Sequence, residues 1–197
     1  NLSDPVFKER EVRQALAYAT DRQKVIRNEA EGQGLPADTP ILPGTWAYQD
    51  GAKKYDYSPD RAKSILDGAG WKPGQDGVRE KGGIKLRFAL FTDLSPRRVK
   101  IAEELSREWD KVGIKADVAS SGASGLVQNF LLPRRYQAAL LGLVLGPDPD
   151  PYPTWHSSQK EGSGYNFSGL SDPKIDDLLA RARRSHDEAE RARLYGE

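Results

Sequence analysis

Residues 146–156 carry the densest set of side chains that could do chemistry: Gly146-Pro147-Asp148-Pro149-Asp150-Pro151-Tyr152-Pro153-Thr154-Trp155-His156. Two carboxylates two residues apart could serve as acid and base. The intervening prolines, however, force an extended path, and no second acidic cluster lies at a known distance from them. Two readings remain. One is a stiff proline-built loop in which Asp148 or Asp150 caps turns. The other is a ligand-facing loop, because it leaves the end of an apolar run, where α/β folds place their ligands.

Other motifs fail on context. Gly32-Gln33-Gly34-Leu35-Pro36-Ala37 has the G-x-G-x-x-A spacing of dinucleotide sites, but it follows a helical pattern and contains Pro36, so no nucleotide cofactor is assigned. Gly122-Ala123-Ser124-Gly125 is not a G-x-S-x-G elbow, and no histidine lies near it in sequence. The chain has no cysteine and two histidines, His156 and His186, which excludes disulfides, a thiol nucleophile and Cys-based zinc sites. No metal site is assigned.

The four tryptophans divide by context. Trp109 lies on a helical apolar stripe and Trp71 follows the glycine that ends a helix, so both are core or cap residues. Trp46 and Trp155 lie in proline-rich loops, where an indole serves either recognition or the packing of the loop onto its own domain.

Thirty Lys and Arg against twenty-nine Asp and Glu, interspersed along 197 residues, give a formal charge of +1 and no basic field for nucleic acid. The pairs Arg97-Arg98, Arg134-Arg135 and Arg183-Arg184 read as solvated helix faces. No run approaches the about 18 apolar residues of a membrane span. The length suits one domain with its own core, and a monomer is expected.

The elements that must position these residues follow from periodicity. Val12, Ala15, Leu16 and Ala19 predict one helix over 11–27, and 32–44, with Pro36, Pro40 and Pro43, predicts a loop. Ser58-Pro59-Asp60 starts a second helix that Gly70 stops. Residues 73–83 read as a turn-rich hairpin, and Ile84, Leu86, Phe88 and Leu90 alternate as in a strand. A helix from Ser95-Pro96 to Gly113 and a strand over 114–119 complete a βαβ unit with parallel strands. The run 138–145 reads as a buried strand breaking at Gly146-Pro147. Two further helices follow, from Ser171-Asp172-Pro173 and over 187–195, the second cut short by the end of the sequence.

Read in order, several segments resemble the bacterial extracellular solute-binding protein family 5, the receptors of peptide-, oligopeptide- and nickel-type ABC importers. They are 12–22 (VRQALAYATDR), 34–37 (GLPA), 57–63 (YSPDRAK) with Ala69-Gly70-Trp71, 101–105 (IAEEL), 112–114 (VGI), 148–152 (DPDPY), 166–169 (NFSG) and 176–179 (DDLL). The resemblance implies an α/β fold: one lobe of a two-lobed, periplasmic-binding-protein-like (type II) clamshell, a mixed sheet flanked by helices. Residues 1–197 are then a single α/β lobe, the second large one, with the first lobe and a C-terminal return segment lying elsewhere in the parent.

By the same resemblance the protein is not an enzyme. It captures peptides or similar small solutes in the periplasm or outside the cell, with or without a lipid anchor, and hands them to ABC permease subunits. Alternatives are a sensory or pheromone receptor, a binder of oligosaccharide or metal chelate, and a hydrolase using Asp148 and Asp150. The expected ligand-facing residues are Trp46, Leu143, Gly146, Asp148, Tyr152, Trp155 and Asn166. Peptide-binding relatives carry Gly-Trp followed by an Asp that pairs with the ligand's α-amino group; Gly142-Leu143-Val144-Leu145-Gly146 lacks both.

Overall fold

The computed structural model describes residues 1–197. The chain opens with α1 (Pro5–Lys8) and α2 (Arg10–Tyr18), and Val12, Ala15 and Ala19 are buried as the periodicity predicts. The helix predicted over 11–27 is in fact two. It breaks at Ala19–Asp21, and α3 (Arg22–Glu29) starts afresh with the Asp21 carboxylate accepting from Lys24 N at 2.8 Å. Side chains far along the chain hold the break open. Glu108 Oε2 accepts from Asp21 N at 2.8 Å, and Trp109 Nε1 donates to Thr20 Oγ1 at 2.9 Å. An amide engaged by a buried carboxylate is lost to the helix ladder.

Residues 32–44 carry no helix or strand, as their prolines require. Ser58 then caps α4 (Pro59–Gly68), which buries Ala62 and Leu66 against α2 and ends at Gly70, where φ is +88°. The predicted hairpin is a small antiparallel sheet of β1 (Lys72–Pro73), β2 (Arg79–Lys81) and β3 (Ile84–Lys85). Ile84 belongs to this sheet and is exposed, so the strand predicted from Ile84 to Leu90 is shared between two sheets. Buried Arg79 ties the small sheet to the rest: its guanidinium donates to Val112 O at 2.8 Å, and to Trp71 O and Asp67 Oδ1 at 2.7 Å each. Gly113 is needed there, with φ +82° and an added Cβ only 2.8 Å from Arg79 Cγ.

β4 (Arg87–Asp93), α5 (Pro96–Asp110) and β5 (Lys115–Ser121) form the predicted βαβ unit, with the strands parallel and Arg87 opposite Lys115 through Asp93 opposite Ser121. The α/β class therefore stands, with parallel and antiparallel pairing divided between two sheets. Alternation along β4 sets its two faces. Phe88 and Leu90 point into the main core with Phe7, Val12, Leu66, Trp71, Ala102, Trp109 and Ile114. Phe91 points the other way, to a smaller cluster of Leu126, Leu131 and Tyr136 supported by Phe130 and Phe167. Burying each large apolar side chain of this kind stabilises the fold by about 1.5–3 kcal/mol.

β5 leads into α6 (Ala123–Leu126) and a π-helical turn, Val127–Leu131, before β6 (Ala138–Ala139) returns to the outer side of β4, again parallel. The buried strand predicted over 138–145 is corrected here. Only Ala138 and Ala139 pair in the sheet, Leu140 N adds one bond to Phe91 O, and Leu143, Val144 and Leu145 are exposed. After the proline loop come α7 (Tyr152–Trp155), a 3-10 turn at Ser157–Gln159, α8 (Pro173–Arg184) capped by Asp172, and α9 (Glu188–Gly196) capped by Asp187. α8 and α9 share a cluster of Leu178, Ala182 and Leu194. The N-terminal segment crosses back to this half: Leu2 N donates to Ser168 O at 2.8 Å, and Gln137 Nε2 to Asp4 Oδ2 at 3.1 Å. No helix is long and apolar enough to cross a membrane.

Candidate functional site

Because β4, β5 and β6 run parallel, their C-terminal ends share one edge of the sheet. Exposed apolar side chains follow each strand: Leu94 directly after β4, Val127 after α6, which follows β5, and Leu143, Val144 and Leu145 a few residues after β6. Leu143 is 59% exposed and Val144 101%. An α/β sheet opens its ligand crevice at this edge.

Two polar groups at the end of β4, Thr92 and Asp93, are committed within the fold. Thr92 is buried and donates through Oγ1 to Leu140 O at 3.1 Å. Asp93 is held by a two-pronged pair to Arg98, Nε to Oδ1 at 2.8 Å and Nη2 to Oδ2 at 2.6 Å. With Ser95 N also donating, these contacts draw the Asp93 carboxyl below its ordinary range. Ser121 Oγ, at the end of β5, is buried without a partner.

Six of the seven expected ligand-facing residues fall into three pairs. Leu143 and Gly146 stand in the exposed stretch after β6, and an added Cβ on Gly146 would meet nothing within 4 Å. Trp46 and Asp148 converge on α9. The Arg191 guanidinium lies 5.0 Å from the Trp46 ring, its Nη2 is 2.5 Å from Asp148 Oδ1, and Tyr195 Oη is 3.1 Å from the same Nη2. Burial opposes the Arg191 charge, and contacts from Tyr195 and Asp148 outweigh it and raise its pKa. Trp46 remains 37% exposed.

Tyr152 and Trp155 open and close α7. Asp150 Oδ1 accepts from Tyr152 N at 3.0 Å, so this carboxylate caps the turn, while its Oδ2 lies 3.3 Å from Arg183 Nε. The Tyr152 ring is sandwiched between the Arg183 guanidinium, 4.6 Å away, and the His156 imidazole, 4.1 Å away at 19°. Trp155 is half-buried.

Asn166 differs from the rest and is corrected as a direct contact. Its side chain is 0% exposed, with Nδ2 donating to Trp155 O, His156 O and Leu170 O at 2.9–3.1 Å. Its Oδ1 accepts from Ser168 Oγ, Gly169 N and Leu170 N at 2.9–3.2 Å. A side chain with its hydrogen-bonding capacity spent inside the fold has nothing left for a ligand. Its role is to hold the loop that carries Trp155.

Sequence reasoning missed Arg98, Arg183 and Arg191, and read two of them as solvated. In each predicted surface pair one arginine is engaged: Arg98 with Asp93, Arg183 with Asp150, and Arg134 with the carbonyls of Lys160 and Gly164 at 2.9 and 2.8 Å. No local signal marks which member finds a partner, and Arg183 does so with its side chain still 52% exposed. Both loop carboxylates are thus engaged within the fold, Asp148 by Arg191 and Asp150 by Arg183 and Tyr152 N.

Comparison with known proteins agrees with this architecture. The oligopeptide-binding protein AppA of Bacillus subtilis is 31% identical over 200 residues, covering 99% of this chain and 37% of that protein. Its solved structure in complex with a nonapeptide superposes with a TM-score of 0.91 at 30% identity, over 99% of this chain and 40% of that one. NikZ from Campylobacter jejuni in complex with Ni(L-His) gives a TM-score of 0.88 at 32% identity, with 99% and 40% covered. The dipeptide-binding protein of Escherichia coli strain K12 is 28% identical over 188 residues, 93% of this chain and 34% of that protein. The chain thus spans well under half the length of each. Residues 1–165 match the middle part of the bacterial extracellular solute-binding proteins, family 5, and this chain belongs to that family.

Proposed function

We propose that residues 1–197 are one lobe of an extracytoplasmic solute receptor that captures a peptide or similar small solute and delivers it to the permease subunits of an ABC importer. The observation that carries this reading is the run of exposed apolar side chains, Leu94, Val127, Leu143, Val144 and Leu145, along the C-terminal edge of the parallel sheet. Exposed apolar side chains gathered on the segments that leave one sheet edge are the mark of a face that meets something else. The accessible surface agrees with a lobe rather than a closed body. It is 11144 Å² for 21.8 kDa, against roughly 9,300 Å² for a compact monomer of that mass. The excess, roughly 1,800 Å², is large enough to accommodate a ligand and a second lobe.

In this reading the protein is a receptor and not an enzyme, in keeping with its family. The whole parent acts in the periplasm or outside the cell, free or held by a lipid anchor. The test is to identify, by mass spectrometry, the solute retained by the full-length parent, and to titrate it calorimetrically into the parent and into residues 1–197. A crevice that draws contacts from two lobes should lose at least about a hundredfold in affinity when one is missing, the scale of 2.7 kcal/mol. Equal affinities would overturn the two-lobe reading.

A further inference from the structure

Asp93 at the end of β4 and the two carboxylates on the loop after β6 are each paired with an arginine from a later helix. Asp93 belongs to Arg98 of α5, Asp150 to Arg183 of α8, and Asp148 to Arg191 of α9. Two of these acids are also shielded, Asp93 and Asp150 having side chains 17% and 20% exposed. Asp150 spends its other oxygen on Tyr152 N, and Asp93 accepts from Ser95 N. On the same chain segments, next to Asp93 and before Asp148 in sequence, stand Leu94, Leu143, Val144 and Leu145, all exposed.

An ammonium group leaving water needs a carboxylate free to receive it, and the cost of desolvation goes unmet where each acid already has a cation. An apolar group needs only the surface the leucines offer. We propose that this edge takes an uncharged, apolar part of the ligand and gives no advantage to an ammonium, with Arg98, Arg183 and Arg191 setting that preference by occupying the three acids. The proposal rests on the solute-receptor reading above and narrows its ligand class.

The probes are trileucine and N-acetyl-trileucine, titrated into the full-length protein that carries this chain. The expected result is affinities within about threefold of each other, the ammonium having no partner to lose. A loss of a hundredfold or more on acetylation would overturn the proposal and leave the receptor reading standing. Two variants test the arginines themselves. In Arg191→Gln, and separately in Arg98→Gln, a carboxylate is set free, and trileucine should gain at least fivefold over its acetylated form. Loss of packing alone would weaken both probes together. Two variants are used so that one which fails to fold does not decide the matter, and an unchanged ratio in a folded variant would count against the assignment.

Where neither tripeptide is held, the molecules released by heating the purified full-length protein are identified by mass spectrometry. An apolar molecule without an ammonium group bears the proposal out. A molecule with a primary ammonium overturns it, and release of no small molecule overturns both the proposal and the receptor reading beneath it.

Discussion

The guanidinium of Arg98 lies directly over Gly142, so that a Cβ on Gly142 would stand 2.7 Å from Arg98 Nη1. Only a residue without a side chain lets Arg98 reach Asp93 along this path. Gly142→Ala must push the tip of a flexible side chain aside, which is a small strain, so stability should fall by no more than about 1 kcal/mol. The larger effect is on Asp93. Deprived of Arg98, its carboxyl should titrate nearer the ordinary aspartate range, read by NMR of the side-chain carboxyl. The Asp93 pKa is depressed in the folded chain, so its contribution to stability is present above the unfolded aspartate value and lost as pH falls through the folded one. That acid-side loss should shrink in the variant. An unmoved Asp93 titration would show that the pair survives.

Asn166→Ala should be the most damaging single change in the C-terminal half. It removes a buried amide whose two N–H groups are shared among three carbonyls and whose oxygen is shared among three donors. Leaving several of these unpaired costs about 3 kcal/mol, measured by urea unfolding. Trp155, whose carbonyl Asn166 holds, should become more accessible to acrylamide. A loss below about 1 kcal/mol would show that the loop is held by other contacts.

Trp46 and Trp109 should separate cleanly. Trp109 is buried in the main core and bonded to Thr20, so Trp109→Ala should cost about 3–5 kcal/mol. Trp46 stands on Arg191 at the surface, and Trp46→Ala should cost under about 1 kcal/mol. Chemical denaturation of the two variants decides it, and equal losses would place Trp46 in the core.

Glu108 gives the opposite pH signature to Asp93. It is almost wholly buried, one oxygen bonded to Asp21 N and the other without a hydrogen-bond partner, 3.7 Å from Lys24 Nζ. Burial pushes its carboxyl up, whereas neighbouring Glu104 is drawn down by Lys24 and Arg107. A raised folded pKa means that the favourable contribution is complete below the unfolded value of 4.5 and is lost as pH rises through the folded one. Glu108→Gln should therefore remove a component of stability that is complete below 4.5 and fades as pH rises through the folded value. Melting temperatures followed across that rise in pH are the measurement, and parallel curves for wild type and variant would refute it.

Much of the fold was legible because its signals are local. Ser58-Pro59 and Asp172-Pro173 mark helix starts by chemistry that acts within three residues. The alternation of Leu86, Phe88 and Leu90 fixes one face of a strand. What escaped is non-local. Nothing in Thr20-Asp21-Arg22 announces a helix break whose cause, Glu108, lies 87 residues away. The run 140–145 is apolar whether its own chain covers it or not, so apolarity alone does not separate a buried strand from the exposed Leu143, Val144 and Leu145. At the candidate site the loop carrying Asp148 and Tyr152 was found by composition. Asn166 could not be told from a ligand contact by its type alone, and the arginine partners come from helices whose orientation only the fold supplies.

The crossing of the N-terminal segment to the far half has a consequence for the order of assembly. The β4–α5–β5 unit closes within 35 residues, from Arg87 to Ser121, so its contacts form at small entropic cost. Leu2 reaches Ser168, and Asp4 reaches Gln137 across 133 positions. Such long closures come after the local unit has formed and are the first to open. Amide hydrogen exchange should accordingly be fastest at the N-terminal seam and slowest in β4, so that the molecule unzips from the seam while its βαβ centre persists.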